Sequence, residues 1–247
     1  MTRLTVFANL IALCTVAGCS SVHKVGDLSS ADVFADPSVR GLADAACTGD
    51  IAGINLAIQK GVNPDSRGLK ETTPLLWALS CRNLSGVARL LQLGADPNLP
   101  SSGVLPIVIA AEMADSSFLE VLIEHGANPN PPVDRTSKTP LQKALYASTF
   151  RGNSRNLELL LQHGADVNAK TEDNDFSNVV FEAVALNRYS EAMKLMDFDY
   201  RGDLDKLEYL ASRTINNSNI DVNTRHGMGS LLARIRDDRS RRITEFR

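Results

Sequence analysis

One short string recurs four times along this 247-residue chain, and such recurrence restricts the fold more than any local propensity. It reads Gly61-Val62-Asn63-Pro64-Asp65, then Gly94-Ala95-Asp96-Pro97-Asn98, Gly126-Ala127-Asn128-Pro129-Asn130 and Gly164-Ala165-Asp166-Val167-Asn168. The leading glycines stand 33, 32 and 38 residues apart. A second string precedes three of them by about twenty residues: Thr73-Pro74-Leu75, Leu105-Pro106-Ile107 and Thr139-Pro140-Leu141. Two registers advancing together describe one supersecondary unit copied along the chain. A unit this small cannot bury its own apolar face, so its neighbours must stack on it.

Each element of the unit has a physical reason. The prolines sit where a helix begins, at the position that loses no hydrogen bond. Thr73 and Thr139 stand ready to cap those helices. Small pairs follow at a fixed offset (Ala45-Ala46, Ala78-Leu79, Ala110-Ala111, Ala144-Leu145, Ala183-Val184) and let helices approach closely. A second helix carries apolar pairs such as Leu90-Leu91, Leu122-Ile123 and Leu160-Leu161, and the glycine after it supplies a left-handed terminal position. The Asn, Asp and Pro that follow are turn residues.

A helix, a tight turn, a second helix and a protruding turn every ~33 residues resembles the ankyrin repeat. The resemblance covers about residues 39–200 in five repeats: 39–66, 67–99, 100–131, 132–169 and 170–200. It implies an all-α fold, an ankyrin-repeat solenoid, with residues 201–247 as a C-terminal helical cap. Within that cap, Asp203 to Arg213 and Gly229 to Ile243 read as helices and Ile215 to Asn223 as a turn. The repeats are not uniform. The first has Arg40-Gly41-Leu42 in place of Thr-Pro-Leu, as expected of a terminal unit. The fourth carries an insertion between its helices, Ala147 to Asn156. The fifth opens on Asn178-Val179-Val180 and lacks the glycine string, closing on Asp197-Phe198-Asp199-Tyr200.

The front of the chain reads as an address. Arg3 precedes an apolar stretch from Leu4 to Ala17, of signal-peptide length, which runs into Val16-Ala17-Gly18-Cys19. This resembles the lipobox of bacterial lipoproteins, in which the cysteine is acylated and becomes the first mature residue. The expectation is a signal peptide over 1–18, lipidation at Cys19 and a polar tether over 19–38. By the family's sorting rule Ser20 directs the protein to the outer membrane, with the folded part on its periplasmic face. Of the four cysteines, Cys47 and Cys81 then remain in an oxidising compartment. Facing helices place their axes about 8–10 Å apart, whereas a disulfide needs Cα atoms within about 7 Å. The pair is therefore read as two buried small side chains, with a disulfide as the open alternative.

Composition excludes several functions. With 43% hydrophobic residues the chain is not a disordered one, and a net charge of -3 speaks against general nucleic-acid binding. His125 and His163 each fall one residue before a helix-ending glycine, where a cation meets loose carbonyls, so they read as structural. No metal-type spacing, P-loop or dinucleotide glycine pattern occurs, and no catalytic constellation stands out. The expectation is a non-enzyme with no cofactor and no metal. The seven arginines of residues 225–247 read as a solvated cap face, with contact to anionic lipid as the alternative.

Ankyrin stacks are protein-binding scaffolds, and the resemblance implies a partner across the first helices and the turn tips. Carried over repeat by repeat, the helix row contains Trp77, Ser80, Cys81, Glu112, Met113 and Tyr146. The tips contain Lys70, Thr72, Ser102, Arg135, Lys138 and Asp175. Residues equivalent to Trp77 are mostly polar (Asp44, Ile109, Lys143, Glu182), so Trp77 is expected half-exposed; a contact anchor together with Tyr146 and a packed aromatic at a helix interface are equal readings of it. The lipobox joined to ankyrin repeats resembles immunity proteins that neutralise type VI secreted phospholipase effectors by direct binding. A periplasmic scaffold that holds an envelope enzyme is the alternative.

Overall fold

The computed structural model describes residues 24–25, 28–101, 103–132, 138–170, 178–215 and 221–245; the signal segment and Cys19 lie outside them. The chain divides into two compact units at Asn128. In the first, Lys24–Val25 (β1) pairs antiparallel with Leu28–Ser29 (β2), and a helical turn, Ser30–Val33 (α1), follows. Three helix pairs come next: Pro37–Thr48 (α2) with Ile51–Gln59 (α3), Pro74–Ser80 (α4) with Leu84–Gln92 (α5), and Pro106–Glu112 (α6) with Ser117–Glu124 (α7). The second unit holds Pro140–Arg151 (α8) with Arg155–Gln162 (α9) and Val179–Ala185 (α10) with Tyr189–Met196 (α11). It ends in Leu204–Ile215 (α12) and Val222–Glu245 (α13). The fold is all-α, as the repeat requires.

Local chemistry starts and stops these helices where the sequence places the signals. Thr73 Oγ1 accepts from the Leu76 amide at 3.2 Å. Thr139 makes a full capping box, accepting from the Gln142 amide while the Gln142 side chain accepts from its own N–H at 2.9 Å. Asn178 replaces the Thr-Pro start in the fifth repeat and caps α10 through the Val180 and Phe181 amides. Gly61, Gly94, Gly126 and Gly164 all take positive φ, from 80° to 91°. Packing follows from the small residues. Ala43, Ala46, Ala78, Ala110, Ala144 and Ala183 are fully buried, and a Cβ on Gly86 would fall 1.9 Å from the Ala46 carbonyl oxygen. No larger residue lets α5 lie that close to α2.

The repeats are also tied at their tips. Asn98 Oδ1 accepts from the Asn128 amide at 2.8 Å while its Nδ2 donates to the Gly126 carbonyl at 2.9 Å. In the second unit Asn130 does the same to Asp166 and Gly164, and Asn168 to Arg201 and Asp199. Each amide therefore holds a donor and an acceptor of the next tip. The fifth repeat keeps this geometry without its glycine, because Asp199 takes the left-handed conformation (φ 55°) and offers its carbonyl.

Three sequence expectations are corrected. The insertion in the fourth repeat is not a loop: it lengthens α8 to twelve residues against seven for α4, α6 and α10, and Gly152 (φ 71°) ends the helix. The last helix starts at Val222 rather than Gly229, because Asp221 caps it through the Asn223 and Thr224 amides. The segment read as tether is folded from Leu28 onward: Val33 and Phe34 are buried, and the Arg40 guanidinium donates to the Phe34 carbonyl.

The two final helices close the second unit. Asp203 caps α12 through the Asp205 and Lys206 amides. Arg242 of α13 donates to the carbonyls of Tyr200 (2.6 Å) and Gly202 (3.0 Å). Two tail arginines reach across in the same way, Arg234 to Asp197 and Arg239 to Glu208, while Arg234 with Asp238 and Arg241 with Asp237 pair along α13 itself. These pairs favour the cap-face reading over a lipid-binding one.

Two measurements follow from this architecture. Asp65 stands at the rung of Asn98, Asn130 and Asn168; its carboxylate accepts from the Asp96 amide at 2.9 Å, but it has no N–H to offer the Gly94 carbonyl. Asp65→Asn supplies that donor and raises stability by about 0.5–1.5 kcal/mol, read as a higher urea midpoint. An unchanged or lower midpoint contradicts the role assigned to the tip amides. Separately, Tyr200 is buried, and burial, only partly offset by Asn178 and Arg242, pushes its pKa up to about 12. The unfolded chain ionises near pH 10, so stability falls by about 2–3 kcal/mol as pH rises from 10 to 12. Urea midpoints across that range check this, and Tyr200→Phe removes that part of the decline.

Candidate functional site

In the first unit the expected contact residues separate into buried and surface groups. Trp77 is only 2% exposed, against the half-exposed anchor its register suggested. Phe34, from the segment before the repeats, meets it edge-on at 6.1 Å, and Val33, Val39, Ala43 and Cys47 complete the cluster. Cover by Phe34, from outside the repeat register, is the physical reason for the correction. Cys81 is not a free contact residue either. It forms a disulfide with Cys47, with Cα atoms 5.3 Å apart, so the reading of two buried thiols gives way to the alternative. Close approach of α2 and α4 over small residues brings the pair within bonding distance. Met113 and Thr72 are buried and unavailable to a partner. Ser80 is half-buried, its hydroxyl returned to the Leu76 carbonyl at 2.9 Å, and Glu112 is half-buried. Ser102 lies outside the described residues.

The tips of this unit form a cross-braced ridge. Lys70 and Glu71 both adopt positive φ (56° and 61°), a pair of non-glycine conformations costing about 1–3 kcal/mol each. Ser101 Oγ donates to the Lys70 carbonyl at 3.0 Å and lies 3.3 Å from Thr72 Oγ1, while Arg67 bonds both Glu71 and the Pro100 carbonyl. The brace leaves Lys70, Leu69 and Val104 exposed at the crest.

The second unit brings two of the expected residues into one site. Tyr146, half-buried, lies on α8, and Phe150 one turn later stacks on it at 5.8 Å with rings 17° from parallel. Phe150 is 69% exposed, the consequence of a helix that runs past the length of its counterparts. Lys138 sits over the Tyr146 ring, 5.0 Å from its centroid, and forms an ion pair with Glu182 of α10. Burial lowers the Lys138 pKa, but the Glu182 hydrogen bond and charge, with Tyr146, outweigh it and hold the ammonium above its ordinary value. The other Glu182 oxygen, Oε2, is buried without a partner. At the far end of α8, Ser148 donates to Glu191, which Arg188 also engages, so the lengthened helix is fastened to α11. Arg135 and Asp175 lie outside the described residues.

The arrangement is an exposed aromatic ledge flanked by a paired cation, a set of groups suited to protein contact. Among the described residues no group of three or more His, Cys, Asp or Glu is placed to hold a metal. His125 closes its helix, Nδ1 donating to the Val121 carbonyl at 2.8 Å. Phe150 was missed as a contact residue because it belongs to the insertion and has no counterpart in the repeat register. Glu182 was visible only as the equivalent of Trp77.

Comparison with known proteins agrees with this geometry. The ankyrin repeat family model matches residues 70–102 and 137–172. Protein PhlB of Serratia liquefaciens is 34% identical over 160 residues, covering 64% of this chain and 68% of PhlB. Zygote-specific protein 3 of Chlamydomonas reinhardtii is 33% identical over 129 residues, 51% of this chain and 33% of that protein. The ankyrin repeat domain of human ASB11 superimposes with a TM-score of 0.57, covering 77% of this chain and 82% of that domain; at 20% identity the likeness is one of fold.

The disulfide closes a loop of 34 residues between the first two repeats, and a loop of that size stabilises by about 3–4 kcal/mol in the chain-entropy account. Reduction should add two hydrogens to the intact mass, lower the urea midpoint accordingly and loosen the packing around Trp77, read as a red shift of its emission. Identical masses with and without reductant rule the bridge out.

Proposed function

The chain belongs to the ankyrin-repeat family, and on that premise we propose that it is a lipid-anchored immunity protein binding a type VI secreted phospholipase directly. The family's repeats are protein–protein interaction modules, and their fold is typically a non-enzymatic scaffold. The more specific reading draws on three features. The lipobox-like Val16-Ala17-Gly18-Cys19 would tether the protein by Cys19 to the periplasmic face of the outer membrane. The Cys47–Cys81 bridge suits an oxidising compartment. The Tyr146–Phe150 ledge offers the partner a rigid aromatic anchor, and this exposed stack carries the proposal.

The mechanism is occlusion. A phospholipase must present its active site to a bilayer, and an inhibitor tethered to that bilayer meets it at high local concentration. Phe150 and Tyr146 would enter an apolar recess on the enzyme, a role in which aromatic side chains contribute disproportionate energy. Lys138, already neutralised by Glu182, brings little uncompensated charge to the contact.

The test is a titration of the mature chain into a type VI secreted phospholipase, with vesicle lipid as substrate. The expected outcome is stoichiometric inhibition. Phe150→Ala weakens binding by about 2 kcal/mol, roughly thirty-fold, without moving the urea midpoint, and Tyr146→Ala acts in the same direction. Undiminished lipid hydrolysis at saturating chain overturns the immunity reading. Capture of a resident envelope enzyme through the same ledge would support the scaffold alternative.

A further inference from the structure

A terminal repeat in a stack needs a polar outer face to stay soluble. The first repeat lacks one. On the side of α2 and α3 that no other described element covers lies a groove of about 280 Å³, lined by Pro37, Gly41, Gly53, Leu56, Ala57 and Val62, with Ser38 and Lys60 at its rim. Leu56 is 51% exposed, and Ile51 on the same helix is exposed as well. Lys60 is the one charged residue of the lining, and the carboxylates of Asp36 and Asp50 adjoin it, accepting from the Ser38 and Gly53 amides.

The path of the chain into this repeat says what lies opposite. Leu28 and Val62 pack against the same buried cluster of Phe34, Val39 and Trp77, so the entering strand and the groove belong to one corner of the molecule. From Lys24, where β1 begins, only five residues lead back to Cys19, a reach of at most about 18 Å. An acyl-anchored Cys19 therefore holds this corner against the bilayer.

We infer that the uncovered face of the first repeat is a bilayer-docking surface, its apolar groove set on the lipid interface. The inference rests on the proposed acylation of Cys19. It makes the short leash and the apolar end parts of one device, which fixes the orientation of the first unit instead of letting it swing.

The experiment uses the acylated full mature chain in phosphatidylethanolamine/phosphatidylglycerol vesicles that contain nitroxide lipid. A bimane label is placed at Leu56→Cys or, as a reference, at Glu124→Cys on the exposed end of α7. The expected result is strong quenching at position 56 and little at 124. Gly41→Glu places a carboxylate in the groove at a position where a Cβ meets nothing within 4 Å, so the fold tolerates it. It should abolish the quenching while the protein still floats with the vesicles. Equal quenching at both positions, or quenching unchanged by Gly41→Glu, overturns the docking surface and leaves the anchor standing. A mature chain without the acyl mass, or a Cys19→Ser chain that still floats, overturns the anchor reading itself. A dimer of the Cys19→Ser chain that Gly41→Glu dissociates assigns the groove to a second copy and also overturns the proposal.

Discussion

The structure depends on the inability of a two-helix slab to bury its own apolar face. Everything regular in the chain serves the close stacking that resolves this. Alanines and Gly86 let backbones approach, prolines and threonines fix where helices begin, and left-handed residues return the chain to the same place after each pair. The side-chain amides of Asn98, Asn130 and Asn168 add direction to what burial alone leaves free to slide, because each bonds two backbone groups of the next tip at once. A hydrophobic interface tolerates small shifts. A double hydrogen bond between successive turns does not, and the repeat spacing follows from it.

The first repeat departs from this scheme and is held by other means. No Thr-Pro start introduces α2; Asp36 caps it instead. Its tip supplies a carboxylate where later tips supply an amide. Two constraints outside the repeat compensate. The Cys47–Cys81 bridge fastens α2 to α4, and Phe34 closes over Trp77 from a segment that precedes the repeat. The consequence reaches the function, since the side chain that looked most like an interaction anchor stabilises the terminal repeat and is withheld from any partner.

Most of the fold was legible because its determinants are local and periodic. The glycines, the Thr-Pro starts and the alanine pairs each act within a few residues, and repetition multiplies their signal. The cap of α12 by Asp203 was readable for the same reason. What sequence reasoning missed is nonlocal or substitutive. Trp77 is buried by Phe34, forty-three residues earlier and outside the register, so comparison with Asp44, Lys143 and Glu182 misled. The disulfide turns on a few ångströms of helix approach that average packing distances do not resolve. Asp199 reproduces a glycine's conformation without its sequence signature. Of the expected contact residues, only Tyr146 and Lys138 meet in one described site, and Phe150, the most exposed member, came from an irregularity in the repeat.

That irregularity is how a repeat scaffold would acquire the contact surface proposed for it. Residues in strict register are committed: their side chains are buried against neighbours, or their turns hold the tip ladder. Variation is tolerated at the turn between the two helices of a repeat, away from the ladder. The fourth repeat adds its extra residues there and converts them into more helix, capped by Gly152 and fastened through Ser148 and Glu191. A lengthened helix presents its added side chains rigidly, so Phe150 stands clear of the repeat with Tyr146 beneath it as a stacked support. Preorganised exposure of this kind reduces the ordering cost of binding. The exposed ring of the proposed contact site therefore comes from the part of the repeat that stacking leaves unconstrained.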